Sequence, residues 1–228
     1  MKNKKTIFIA CDTTSQKKIK KIISETNSLK LNIGYKIGLE FFYSKNGRNF
    51  LSQIKSKNVF LDLKLNDIPN TCGAALKAIQ DLKNIKYITA HINSGEETLR
   101  TIKRISRNKY KILGVTVLTS INKIHLKRLG FKNDIKNVVV CQAKIAKKLK
   151  LNGIVCSGQE IKKVKKICKN MEIVVPGIRL PGDKNQDQKR VMTPKKAFDL
   201  GASAVVIGRS LTNGNIKQNL KKLIKSLK

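Results

Sequence analysis

Eight short apolar, β-branched runs alternate with longer lysine-rich amphipathic stretches along the 228 residues. The runs fall at Thr6–Cys11, Ile33–Ile37, Val59–Leu65, Tyr87–His91, Lys111–Val117, Gly153–Cys156, Glu172–Pro176 and Ala204–Ile207. Helix-like segments lie near 16–30, 40–56, 72–83, 95–106, 135–150, 159–169, 194–200 and 214–227. Strands this apolar, each followed by a helix, predict a parallel sheet with both faces covered. Eight such units in a chain of this length predict an α/β fold, a compact (β/α)8 TIM barrel, as one domain over residues 1–228. The alternative is a doubly wound open sheet, for which about five or six strands are more usual. No linker, low-complexity break or repeat beyond the β/α rhythm marks a second domain.

A barrel places its active site at the carboxyl ends of its strands, so polar residues there converge however far apart they lie in sequence. Those ends carry Asp12, Lys36, Asp62, Lys64, Asp67, His91, Thr119 with Ser120, Ser157, Arg179, and Gly208 with Arg209. An ordinary set of turns would mix Gly, Asn and Ser. The carboxylates are informative because the chain has only 14 acidic residues against 49 basic ones.

That imbalance, +35 in net charge, comes almost entirely from lysine and is spread through nearly every segment. A nucleic-acid interface concentrates its charge on one face, uses more arginine and interleaves aromatics. The even spread therefore predicts weak, non-specific attraction to polyanions at low salt and no specific nucleic-acid partner. The five cysteines (11, 72, 141, 156 and 168) have no Cys-x-x-Cys spacing and read as small buried residues in a reducing compartment. The apolar stretch after the basic Met1–Lys5 is too short for a signal peptide, and no run approaches a membrane span. The expected location is the cytoplasm, with no membrane partner.

The densest chemistry is the block Asp62-Leu-Lys64-Leu-Asn-Asp67-Ile68-Pro69-Asn-Thr71. On a strand, Asp62 and Lys64 share one face while Leu61, Leu63 and Leu65 share the other. A carboxylate and an ammonium inside a protein are costly to desolvate unless they pair or do chemistry. The alternative is a salt bridge on an exposed edge strand. Further on, Gly208-Arg209 at a strand-to-helix turn offers backbone N–H groups and a guanidinium to a phosphate. Arg179 stands on the adjacent strand, and the insert Leu180–Arg190, with Gln188, is placed to close over a substrate.

Taken together, these elements resemble the orotidine 5′-phosphate decarboxylase family, in its compact bacterial form. The matching residues run in family order: Cys11-Asp12, Tyr35-Lys36-Ile-Gly38, the Asp62–Thr71 block, Val117-Leu-Thr119-Ser120, Pro176-Gly-Ile-Arg179 with Asp187-Gln188, and Ile207-Gly208-Arg209. The resemblance implies decarboxylation of orotidine 5′-monophosphate to uridine 5′-monophosphate, with no metal and no organic cofactor. It implies an alternating charged array of Lys36, Asp62, Lys64 and Asp67, in which Lys64 protonates C6 of the pyrimidine. Asp12 and Lys36 would bind ribose hydroxyls, and Thr119 and Ser120 would face the ring. Arg179, Gln188, Gly208 and Arg209 would hold the 5′-phosphate. Ile68 and Pro69 belong to the substrate-binding block, and Asp67 and Thr71 would complete the partner's site in a homodimer.

Three rival readings remain at this point, one of them a catalytically idle nucleotide-phosphate binder, against which the intact Asp62, Lys64 and Asp67 argue. Sugar-phosphate decarboxylases and synthases of the same barrel class also carry Asp-x-Lys-x-x-Asp but lack Ile-Pro-x-Thr, and they use a carboxylate metal ligand where this chain has Lys36. The remote rival is a basic nucleic-acid-binding protein. His91 reads as structural rather than catalytic, and His125 lies in an exposed lysine-rich stretch.

Overall fold

The apolar runs become eight parallel strands that close on one another in sequence order, β1 through β8 and back to β1. They are β1 (Thr6–Ala10), β2 (Asn32–Gly38), β3 (Val59–Leu65), β4 (Ile85–His91), β5 (Lys111–Val115), β6 (Gly153–Val155), β7 (Glu172–Ile178) and β8 (Ala204–Ile207). This computed structural model describes residues 5–56, 58–107, 109–183 and 192–227. The closed barrel leaves no open sheet edge, which rules out the doubly wound alternative. Among the described residues, no helix is long and apolar enough to cross a membrane.

Alternation along the strands divides the apolar residues between two cores. Phe8, Ala10, Phe60, Tyr87, Leu113, Val174, Ala204 and Val206 fill the barrel interior. A much larger cluster, including Ile7, Ile9, Leu61, Ile88 and Val205, packs the outside of the barrel against the helices. Inside, Phe8 meets Phe60 and Tyr87 edge-on, with ring centroids 5.1 and 5.2 Å apart. The Phe8 ring fits because Gly34 has no side chain, since a Cβ there would stand 2.6 Å from it. The Tyr87 hydroxyl donates to Glu172, which also pairs with Lys111. Among the described residues the barrel has an aromatic floor, and its main cavity lies at the carboxyl ends of the strands.

Several helix boundaries differ from the sequence expectation, each for a local reason. The first helix stops at Thr26, because Asn27 is extended. The 40–56 stretch splits into Leu39–Phe42 and Gly47–Gln53. Between them Asn46 is left-handed, at φ 66°, and Gly47 lies so close to the Phe41 carbonyl that a Cβ would be 1.9 Å from its oxygen. A further helix, Lys123–Arg128, is capped by the Asn122 side chain accepting from the His125 N–H. Cys141 is exposed, unlike the other four cysteines, which are buried as expected.

Candidate active site

The central irregularity of the barrel lies at the end of β3. Leu61 pairs with Ile88 of β4, but the next pair is Leu65 with Ala90. Four steps along β3 thus match two along β4, so β3 bulges over residues 62–64. Lys64 takes a left-handed backbone conformation there, at φ 47°. Such a conformation is strained for a residue with a Cβ, by about 1–2 kcal/mol, and persists only where its surroundings hold it. The Leu63 and Leu65 side chains still pack against the outer core, so the bulge moves Lys64 without turning the strand over.

What the bulge achieves is a row of alternating charges across the mouth of the barrel. Lys64 Nζ donates to Asp62 Oδ2 at 2.8 Å, and Lys36 Nζ stands 3.7 Å from the same oxygen. Lys36 in turn donates to Asp12 Oδ1 at 2.9 Å. The order is Asp12, Lys36, Asp62, Lys64, drawn from three adjacent strand ends. Asp62 Oδ1 accepts from the Thr89 hydroxyl at 2.8 Å, and that hydroxyl accepts the Lys64 backbone N–H at 2.9 Å.

Neighbouring charges favour the ionised forms of Asp62 and Lys36 despite their burial. Burial alone would raise the Asp62 pKa, but the ammoniums of Lys36 and Lys64, with hydrogen bonds from Lys64 and Thr89, hold it below the ordinary carboxylate value. Burial likewise opposes the charge on Lys36, and the carboxylates of Asp62 and Asp12 outweigh it, raising its pKa. Burial and the Lys64 charge push the His91 pKa down. The His91 Nδ1 accepts the Asn93 N–H at 3.4 Å, a local structural contact.

The array forms one wall of a cavity of about 320 Å³. The facing wall is apolar, built from Val115, Val117, Leu118, Val155, Pro176 and Val206. Thr119, Ser120 and Ser157 add hydroxyls, while Gly208, Arg209 and Arg179 line it beside the last two strands. Arg179 is nearly buried, at 8% exposure, with Nη1 donating to the Ile178 carbonyl. A cavity with a charged wall, an apolar wall and a basic end suits a small anionic molecule with an apolar face.

Of the residues singled out from the sequence, Asp12, Lys36, Asp62, Lys64, Thr119, Ser120, Arg179, Gly208 and Arg209 line this one cavity. Asp67, Ile68 and Pro69 instead line a shallow outward depression with Ser94 and Thr98, and Thr71 is exposed on the helix Pro69–Ala78. The Asp67 backbone is tied down, its carbonyl accepting from Thr98 Oγ1 at 3.0 Å, while its carboxylate accepts the Ile68 N–H at 2.7 Å. Gln188 and most of the 180–190 segment lie outside the described residues. Sequence reasoning missed the apolar wall and Thr89. Strand alternation carried the signal, since Tyr87 points into the barrel and Thr89 lies two residues on. Among the described residues, no group of three or more His, Cys, Asp or Glu side chains is placed to hold a metal ion.

Comparison with known proteins gives a consistent result. The Orotidine 5'-phosphate decarboxylase / HUMPS family matches residues 5–223. An orotidine 5'-phosphate decarboxylase of Wolbachia sp. subsp. Brugia malayi is 42% identical over 223 residues, covering 96% of each chain. One from Carboxydothermus hydrogenoformans is 40% identical over 215 residues, 90% of this chain and 88% of its own. The crystal structure of orotidine 5'-phosphate decarboxylase from Lactobacillus acidophilus superposes with a TM-score of 0.82 at 29% identity, covering 98% of this chain and 99% of the other.

Proposed function

The chain belongs to the Orotidine 5'-phosphate decarboxylase / HUMPS family, and from that premise we propose how its residues divide the work. The protein is a carboxy-lyase that converts orotidine 5′-monophosphate to uridine 5′-monophosphate and carbon dioxide in pyrimidine biosynthesis. The observation that carries this reading is the Asp12–Lys36–Asp62–Lys64 array facing an apolar wall in a cavity with two arginines at one end.

In the reaction the bond from C6 to the carboxylate breaks and carbon dioxide departs, leaving the electron pair on C6. The Lys64 ammonium then gives its proton to C6 and becomes a neutral amine, which solvent reprotonates. Before that transfer its charge lies where carbanion character develops, so it favours the transition state over the bound substrate. A unit-charge pair about 4 Å apart is worth roughly 4 kcal/mol at a moderate effective dielectric, so the placement matters more than the count of contacts. Asp62 orients Lys64 through the 2.8 Å contact. Lys36 and Asp12 take the ribose hydroxyls, Thr119 and Ser120 face the ring, and Arg179, Gln188, Gly208 and Arg209 hold the phosphate.

The active species is a homodimer in which Asp67 and Thr71, with Ile68 and Pro69, complete the site of the partner subunit. Two observations support this. Asp67 lies outside its own chain's cavity, and the apolar side chains of Leu39, Tyr43 and Ile68, after the adjacent strands β2 and β3, are 44%, 76% and 65% exposed. The site of work is the cytoplasm, with no specific nucleic-acid partner.

The metal-using sugar-phosphate enzymes of this barrel class are disfavoured by Lys36. Its ammonium lies between Asp12 and Asp62, at 2.9 and 3.7 Å, where a divalent cation would have to sit. The test is loss of orotate-type ultraviolet absorbance on adding purified protein, with and without chelator. Chelator-insensitive turnover supports the assignment, and a folded, dimeric protein without turnover overturns it.

A further inference from the structure

We infer that Thr89 is the positioning residue that sets Lys64 and Asp62 in register, acting as a one-way hydrogen-bond clamp across the bulge of β3. The inference rests on the decarboxylase reading above and deepens it by adding a residue that does not line the cavity. Thr89 is fully buried on β4, at 0% exposure. It faces the stretch where β3 advances from Leu61 to Leu65 while β4 advances only from Ile88 to Ala90. A bulge of this kind takes the ladder partner away from a backbone N–H. The Lys64 N–H is recovered by the Thr89 hydroxyl at 2.9 Å.

The direction of both bonds is fixed by chemistry. A hydroxyl has one proton to donate and lone pairs to accept with, whereas an ionised carboxylate only accepts. The single Thr89 proton therefore goes to Asp62 Oδ1, at 2.8 Å, and its lone pair receives the Lys64 N–H. Asp62 Oδ2 remains for the Lys64 ammonium at 2.8 Å. Backbone N–H, hydroxyl, carboxylate and ammonium thus form a closed ring, Lys64 to Thr89 to Asp62 and back to Lys64. The ring holds the left-handed Lys64 backbone (φ 47°) and aims its ammonium with the same few bonds. A side chain with no hydroxyl breaks the ring at two points at once, and a displacement of about 1 Å at the proton donor is worth roughly 100-fold in rate.

The test compares Thr89→Val, Thr89→Ala and Thr89→Ser. Valine keeps the shape and alanine relieves any crowding, while both remove the hydroxyl and serine restores it. For the decarboxylation we expect kcat to fall about 100-fold in the Val and Ala variants with KM within a few-fold of wild type, and Ser to recover most of the loss. A merely structural Thr89 would lower thermal stability in Val and Ala while leaving kcat per folded molecule and the acid limb of its pH profile unmoved, and that outcome overturns the inference. A second readout needs no turnover: the Asp62 carboxyl, followed by carbon NMR and assigned with Asp62→Asn, titrates at higher pH in Thr89→Ala and returns toward wild type in Thr89→Ser. An unchanged Asp62 titration in Thr89→Ala also overturns it. Wild-type protein inactive on orotidine 5′-monophosphate would sink the functional reading, while this titration still decides the role of Thr89.

Discussion

Lys64 reaches Asp62 across 2.8 Å from a backbone conformation that lysine seldom adopts, φ 47°. The strain sits on the residue proposed to move the proton, within the bulge of β3 over residues 62–64. Backbone strain of this sort survives where surrounding contacts determine the residue's position. Lys64→Ala removes the proton and the charge at once, so turnover should fall by at least about 1,000-fold, more than general acid catalysis alone commonly supplies at its lower bound. The fold should persist, because Asp62 keeps the Lys36 ammonium and the Thr89 hydroxyl as partners. Steady-state assays beside circular dichroism check both halves, and near-normal turnover would remove Lys64 from its role.

Asp62 gives a prediction with a definite sign in pH. Its folded-state pKa lies below the ordinary aspartate value of 3.8, held there against burial by the charges of Lys36 and Lys64. A depressed carboxyl contributes stability that is fully present above the unfolded pKa and is lost as pH falls through the folded one. The melting midpoint of wild type should therefore drop toward that of Asp62→Asn once the pH is below 3.8. Thermal melts of the two proteins from pH 7 to pH 2 provide the comparison; curves that stay parallel throughout would contradict it. Lys36, whose pKa is raised, contributes in the opposite sense: its share is present below 10.5 and is lost as pH rises through its folded-state value.

Much of this arrangement is legible in the amino-acid sequence. The run Val59–Leu65 is a strand with the same bounds in sequence and structure, because its leucines mark the outer face and Asp62 and Lys64 the inner one. Strand ends far apart in sequence converge because barrel closure forces them to. The bulge was not legible, since register depends on the neighbouring strand and not on β3 itself. Thr89 was hidden for a related reason: in an apolar run a threonine reads as one more β-branched strand former. The apolar wall from Val115 to Val206 was equally silent, as valine inside a barrel carries no chemistry until the cavity above it is seen.

Arg179 and Arg209 flank Gly208 at the basic end of the cavity, away from Lys64 in the charge row. If they hold the phosphate, that binding energy is spent remotely and both ground and transition states lose it on truncation. Arg209→Ala should raise KM about 10- to 100-fold, in line with the loss of one charge-assisted contact of roughly 1.5–3 kcal/mol. Arg179→Ala carries an additional stability cost, because the side chain is only 8% exposed and its removal leaves a gap beside β7. Kinetics on the 5′-phosphate substrate and on the dephosphorylated nucleoside separate the effects. Equal losses on both substrates would argue against a phosphate contact.

The position of Asp67 yields the sharpest test of assembly. Asp67 lines an outward depression beside Ser94 and Thr98 and is absent from the lining of its own chain's cavity. In a homodimer with shared sites, Asp62→Asn and Asp67→Asn each disable both sites, since every site needs Asp62 from one subunit and Asp67 from the other. Mixing the two inactive proteins under conditions that allow subunit exchange produces heterodimers in which one site receives both substitutions and the other receives neither. About half of the exchanged molecules are heterodimers, each with one native site, so activity should rise to roughly a quarter of wild type per subunit at full exchange. The recovery should appear with the kinetics of exchange and be absent when the dimers are crosslinked before mixing. No recovery, despite heterodimers detected by native mass spectrometry of differently tagged chains, would place Asp67 outside the partner's site.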